Sequence, residues 1–134
     1  MPLVDIIKEK VATRGKIVNI EIGDYTKAFR NPEQAMKKSK DPERMKTRKF
    51  AIFTVELEDG TLFEESHGVP KGVEYKDGKW VVVDKLNAIR SMKQANNWFV
   101  WYNSKYKKDP EVGDTVDIII NEQGFARIDV GKPF

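Results

Sequence analysis

Residues 49–66, KFAIFTVELEDGTLFEES, decide the fold. Ala51, Phe53, Val55 and Leu57 alternate with Phe50, Ile52, Thr54 and Glu56, the period-two pattern of a β-strand with two distinct faces. Asp59-Gly60 interrupts the alternation. That pair predicts a two-residue hairpin turn, because both turn positions need positive φ and Gly adopts it at least cost. Residues 61–66 then form the return strand, with Leu57 opposite Leu62.

Upstream, residues 13–22 (TRGKIVNIEI) carry Ile17, Val18, Ile20 and Ile22 and predict another strand. Gly15 marks a bulge or a bend in it. Residues 2–10 place Leu3, Ile6, Ile7 and Lys10 at helical spacing, predicting a short N-terminal helix or cap. Between these elements, Asn31-Pro32-Glu33 and Asp41-Pro42-Glu43 both spell a helix start: a capping side chain, Pro in the first turn, then an acid near the positive end of the dipole. Downstream, Asp77-Gly78 predicts a second hairpin with Lys76 opposite Lys79 and Tyr75 opposite Trp80, an aromatic cross-strand pair.

Residues 84–108 read as one helix, with Asp84 as cap and Ala88, Met92, Ala95, Phe99, Tyr102 and Tyr106 in a single stripe. The run Trp98-Phe99-Val100-Trp101-Tyr102 suits a strand as well as a helix. Asp109-Pro110 ends the element. Residues 115–120 (TVDIII), a turn at 122–124 and residues 125–130 complete the chain.

At 134 residues, with 40% apolar and 34% charged side chains, the sequence predicts a single domain spanning residues 1–134. No apolar run is long enough to span a bilayer, so no membrane partner is expected. Cysteine is absent. That fits a reducing, intracellular setting and predicts a cytoplasmic protein. The fold class expected is mainly β, a β-rich α+β domain.

The element order is strand, long connection, two hairpinned strands, an extra hairpin, one helix and a final hairpin. Over residues 13–130 this order resembles an OB-fold, the five-stranded Greek-key barrel with a helix between its third and fourth strands. No family signature motif accompanies the resemblance, and an SH3-like barrel or a small α+β sheet spells a similar order. The resemblance implies a small OB-like barrel with one helix and an extra hairpin. It also implies binding of single-stranded nucleic acid or oligosaccharide at the first connection and along the second and third strands.

That connection, residues 26–49, is where the charge lies. Lys27, Arg30, Lys37, Lys38, Lys40, Arg44, Lys46, Arg48 and Lys49 face only Glu33, Asp41 and Glu43, so the segment carries +6 in a chain of net charge +3. Charge gathered this way is the footprint of an anionic partner. Tyr25, Phe29 and Phe50 flank it and offer stacking surfaces for bases. Trp98 and Trp101 beside Lys105 make a second constellation. The sequence therefore predicts a non-catalytic protein that binds single-stranded DNA or RNA with little sequence preference. The alternative is a small adaptor or inhibitor that docks its aromatic helix and hairpin on a protein partner.

Enzyme chemistry is poorly served. His67 is the only histidine, so no two-histidine metal site arises within one chain. Glu65 and His67 share a strand face at what reads as an exposed strand end. Gly68-Val69-Pro70-Lys71-Gly72 lacks the Gly-Lys-Ser/Thr ending of a phosphate loop. No catalytic residue, metal or cofactor is expected.

Overall fold

The computed structural model describes residues 11–93 and 97–131. The helix or cap expected at residues 2–10, and Ala95 of the expected stripe, lie outside these. Five strands form one sheet: β1 (Val11–Gly23), β2 (Phe50–Leu57), β3 (Leu62–Gly68), β6 (Thr115–Ile120) and β7 (Ala126–Ile128). Their order is β3-β2-β1-β6-β7, all neighbours antiparallel, and the edge strands β3 and β7 come together so that the sheet is nearly closed. This is the expected mainly β class, a small barrel-like sheet of five strands. A separate hairpin, β4 (Val73–Lys76) and β5 (Lys79–Val82), is the expected insertion.

β1 serves two neighbours, pairing β2 from Gly15 to Gly23 and β6 from Val11 to Lys16. The predicted irregularity falls three residues beyond Gly15, where an extra residue, Val18, sits between Ile17 and Asn19. A bulge of this kind switches which residues point inward, so Ile17 and Ile20 are both buried although three positions apart. Gly15 serves close approach instead: a Cβ there would lie 2.7 Å from Val55 Cγ1 and 3.2 Å from Glu56 O.

The hairpin at Asp59-Gly60 differs from expectation by one residue. Glu56 faces Leu62, so Leu57 does not. The loop is three residues long, with Leu57 N donating to Thr61 O (2.8 Å) and Gly60 N to Leu57 O (2.9 Å). Only Gly60 takes positive φ, +85°, while Asp59 Oδ1 accepts from Thr61 N at 3.0 Å. A turn closed by one left-handed Gly shifts the register where a two-residue turn would not. At Asp77-Gly78 both residues have positive φ, 50° and 77°, and Tyr75 faces Trp80 with ring centroids 4.6 Å apart, as predicted.

The single helix predicted at 84–108 is two helices, α4 (Lys85–Met92) and α5 (Trp98–Tyr106). Asn97 starts the second: its side chain accepts from Phe99 N (2.9 Å) and Val100 N (3.4 Å) and donates to Ser91 O (3.0 Å). Such a cap offers the backbone a better partner than helix continuation. Trp98-Phe99-Val100-Trp101-Tyr102 is therefore helical. The stripe still faces inward, for Ala88, Phe99 and Tyr102 are buried and Met92 and Tyr106 pack on the core. α5 plugs the barrel and is anchored by Tyr102 Oη donating to Asp114 Oδ2 and Tyr106 Oη donating to Asp129 O, both 2.6 Å.

The long connection holds three short helices: α1 (Tyr25–Ala28), α2 (Pro32–Lys38) and α3 (Pro42–Thr47). The predicted caps at Asn31 and Asp41 accept from Gln34 N and Arg44 N, both at 3.1 Å. α1 was not expected; Asp24 caps it by accepting from Thr26 N. Ser66 Oγ donates to Ala28 O (3.0 Å), tying α1 to β3.

Candidate functional site

The cations of the connection divide into two groups. Lys27 is ion-paired with Glu21 (2.9 Å) and Lys46 with Glu43 (3.4 Å). The other seven, Arg30, Lys37, Lys38, Lys40, Arg44, Arg48 and Lys49, have no carboxylate within ion-pair distance among the described residues. Lys49 feels the Asp24 carboxylate at longer range. Arg30, Lys37, Lys38 and Lys40 are exposed along the outside of the connection.

Arg44, Arg48 and Lys49 line a cleft of about 720 Å³ whose other walls are β3's end, the following turn, α4 and the start of α5. Lys71 and Arg90 enter it from those walls, as do Thr47, Asn87, Ser91 and Asn97. Among the described residues its one carboxylate, Glu74, is paired with Lys76 (3.0 Å). Five cations thus surround a concavity without a matching internal charge. Charge-pattern reasoning did not single out Arg90; the turn at Gly72 and the placement of α4 bring it and Lys71 here.

Two glycines shape this cleft. A Cβ on Gly68 would collide with the Arg48 guanidinium, so the bare backbone lets that group lie against the end of β3. On its other side Arg48 stands 5.5 Å from the centroid of Phe50. Burial, and then the neighbouring Arg44, lower the pKa of Arg48. Gly72 has φ +82°, and a Cβ there would strike Asp84 O and lie 2.7 Å from Ala88 N. Gly72 O accepts from Val83 N (2.8 Å) and Asp84 N (3.1 Å), which fixes the entry into α4.

His67 and Trp98 form the floor, their rings stacked at 4.1 Å and 12°. They also line a second cavity of about 320 Å³ with Glu65, Ala126, Arg127, Ile128 and Val130. The Glu65–His67 pair is half-buried, contrary to the exposed strand end expected, with Nε2 of His67 2.6 Å from Glu65 Oε2. The other oxygen, Glu65 Oε1, accepts from Ile128 N at 2.8 Å. Glu65 therefore stitches β3 to β7 where the barrel lacks a ladder. Among the described residues no three His, Asp or Glu side chains converge to hold a metal.

Several expected contact residues are placed otherwise. Phe50 is 5% exposed, sealed beneath the connection with Phe29 edge-on at 5.3 Å, so it offers no stacking face. Alternation assigned it correctly to the outer face of β2; α1 and its neighbours cover that face. Phe29 is spent in the same contact and is half-buried, as is Tyr25. Lys105 is bound to Asp129 (2.8 Å) and Asp117 (3.3 Å), so its charge is neutralised away from the cleft. Trp98 and Trp101 are both half-buried and pack on the core, and Trp98 also reaches the cleft. One ring that sequence reasoning took as the start of a strand, Phe125, is 63% exposed at the β6–β7 turn. Among the described residues no helix is long and apolar enough to cross a membrane. Comparison with protein-family models, with curated proteins and with solved structures finds no match.

Proposed function

We propose that this protein binds single-stranded nucleic acid through the basic connection and the cleft beneath it, with little sequence preference and without catalysing a reaction. The observation that carries this is the convergence of Arg44, Arg48 and Lys49 with Lys71 and Arg90 around one concavity that lacks a free carboxylate. Cations without internal partners displace condensed counterions from phosphates at no cost in broken ion pairs. Lys37, Lys38 and Lys40, exposed on the adjoining helical turns, extend the positive surface. Phe125 at the β6–β7 turn is an exposed ring offered for stacking, while Trp98 reaches the cleft with one face already against His67.

The test is oligonucleotide binding across strandedness and salt. Affinity for oligo-dT or oligo-U falls steeply with salt, and neutralising Lys37, Lys38, Lys40 and Arg44 together reduces the slope of log K against log salt. Unchanged binding in that quadruple variant removes the connection from the mechanism. A protein-docking role has one observation in its favour: Val82, Val83, Leu86 and Ile89, on and after β5 and along α4, are 63%, 52%, 59% and 42% exposed. Oligonucleotides that fail to bind at low salt turn attention to that apolar face.

A further inference from the structure

We infer that the cleft lined by Arg48, Lys71 and Arg90 recognises a terminal phosphate, the phosphomonoester of a nucleotide or of a strand end, in preference to an internal phosphodiester. The inference deepens the nucleic-acid role of the same cleft and, for strand ends, rests on it.

Charge density is the first argument. A groove that follows a strand spaces its cations along the path, about one for each singly charged diester. Here five cations from three separated parts of the chain, 44–49, 71 and 90, surround a single cavity of about 720 Å³. That volume falls within the ~300–1,000 Å³ range of small-ligand sites. It admits a phosphate with one or two nucleosides. A phosphomonoester carries roughly −1.5 to −2 at neutral pH against −1 for a diester, so it answers this excess better.

The donors make the second argument. Arg44, Arg48 and Arg90 present guanidinium forks, which pair bidentately with the oxygens of a phosphate. An internal diester exposes two such oxygens and a terminal group three. Arg48 is held in place by Gly68 and the Phe50 ring, so little side-chain freedom remains to be lost on binding. The Ser91 hydroxyl brings a neutral polar group to the same walls, suited to a sugar or base attached to the phosphate.

The test compares 3′-labelled oligo-dT bearing a 5′-phosphate with the same strand bearing a 5′-hydroxyl, by fluorescence anisotropy at one salt concentration, with a 3′-phosphorylated strand as a third probe. Thymidine diphosphate and inorganic phosphate serve as free competitors. A phosphorylated end is expected to bind about tenfold tighter, as one added charge-assisted contact implies. The Arg48→Gln/Arg90→Gln variant should lose that preference, so that phosphorylated and hydroxyl-ended strands bind it alike and both more weakly than they bind the wild type. Arg44→Gln/Lys71→Gln, altering exposed side chains only, is the second variant should the first fail to fold, and should reduce the same preference. If strand ends make no difference but thymidine diphosphate binds the wild type and not the variants, the phosphate site stands with a free nucleotide as its ligand. Equal binding of all strands with no effect of thymidine diphosphate overturns the phosphate site and leaves the single-strand role intact. Failure of every probe overturns both.

Discussion

Paired and unpaired cations should behave differently although each carries one charge, and the salt dependence of binding can tell them apart. The perturbation is Arg44→Gln with Lys71→Gln, two cleft cations from opposite walls. The control is Lys27→Gln with Lys46→Gln, two cations held by Glu21 and Glu43. Both pairs change net charge equally. Each phosphate neutralised on a single strand adds about −0.7 to the slope of log K against log salt. Counting the five cleft cations alone, each set against a phosphate of a hydroxyl-ended strand, gives a slope near −3.5, or about a hundredfold loss of affinity between ~50 and ~200 mM salt. Removing Arg44 and Lys71 should bring the slope to about −2 and the loss to roughly twentyfold over the same range. The control should leave the slope almost unchanged, because Lys27 and Lys46 already hold carboxylates and their removal frees two acids on the outer surface. Anisotropy titrations of labelled oligo-dT at four or more salt concentrations measure both slopes. Equal falls in the two variants would refute the reasoning, since overall charge and not convergence on the cleft would then set affinity.

Two further predictions concern the scaffold. Gly72→Ala should destabilise the protein by about 3 kcal/mol in urea unfolding, from left-handed strain and from collision with the start of α4. Gly124→Ala, with similar φ but nothing within 4 Å, should cost only about 1 kcal/mol. Equal costs would show that the α4 approach is not tight. Lys105→Gln should leave oligonucleotide binding unchanged and cost about 1 kcal/mol at neutral pH through its lost ion pairs. Burial raises the Asp129 pKa, but hydrogen bonds from Lys105 and Gly131 N outweigh this and leave it below 3.8. The stability from that lowered pKa is present above pH 3.8 and is lost as pH falls through the folded-state value. Burial lowers the Lys105 pKa, but its hydrogen bonds to Asp129 and Asp117 and the nearby Tyr106 together outweigh this and leave it above 10.5, so its share fades as pH rises beyond that value. The gap between wild type and variant should therefore close in acid and in strong alkali. A gap that persists once the Asp129 carboxyl has been protonated in acid would assign the loss to packing instead.

The two Asp-Gly turns show how far local sequence reaches. At Asp77-Gly78 the dipeptide spelled the turn correctly, since both residues adopt positive φ. At Asp59-Gly60 the same letters form a longer loop, because only Gly60 turns left-handed and the Asp59 carboxylate engages Thr61. Dipeptide identity does not distinguish these outcomes; the pairing demanded by the flanking strands does. Asn31, Asp41 and Asp84 were legible as caps because capping acts within three residues. Asn97 carries the same chemistry but sat within a continuous apolar stripe, whose periodicity concealed the break.

Strand alternation, turn residues, helix caps and the gathering of charge into residues 26–49 are all written in the sequence, for each depends on neighbours a few positions apart. Alternation could place Phe50 on the outer face of β2 but not reveal that the connection folds back to seal it. Nor could spacing separate Lys27, Lys46 and Lys105, which hold carboxylates, from Arg44 and Arg48, which hold none among the described residues. Those differences, and the arrival of Lys71 and Arg90 opposite the connection, depend on closure of the barrel and the tight approach of Gly72 to α4. Contacts between distant segments exist only once the chain is folded, which is why tertiary structure alone decided where the charge could act.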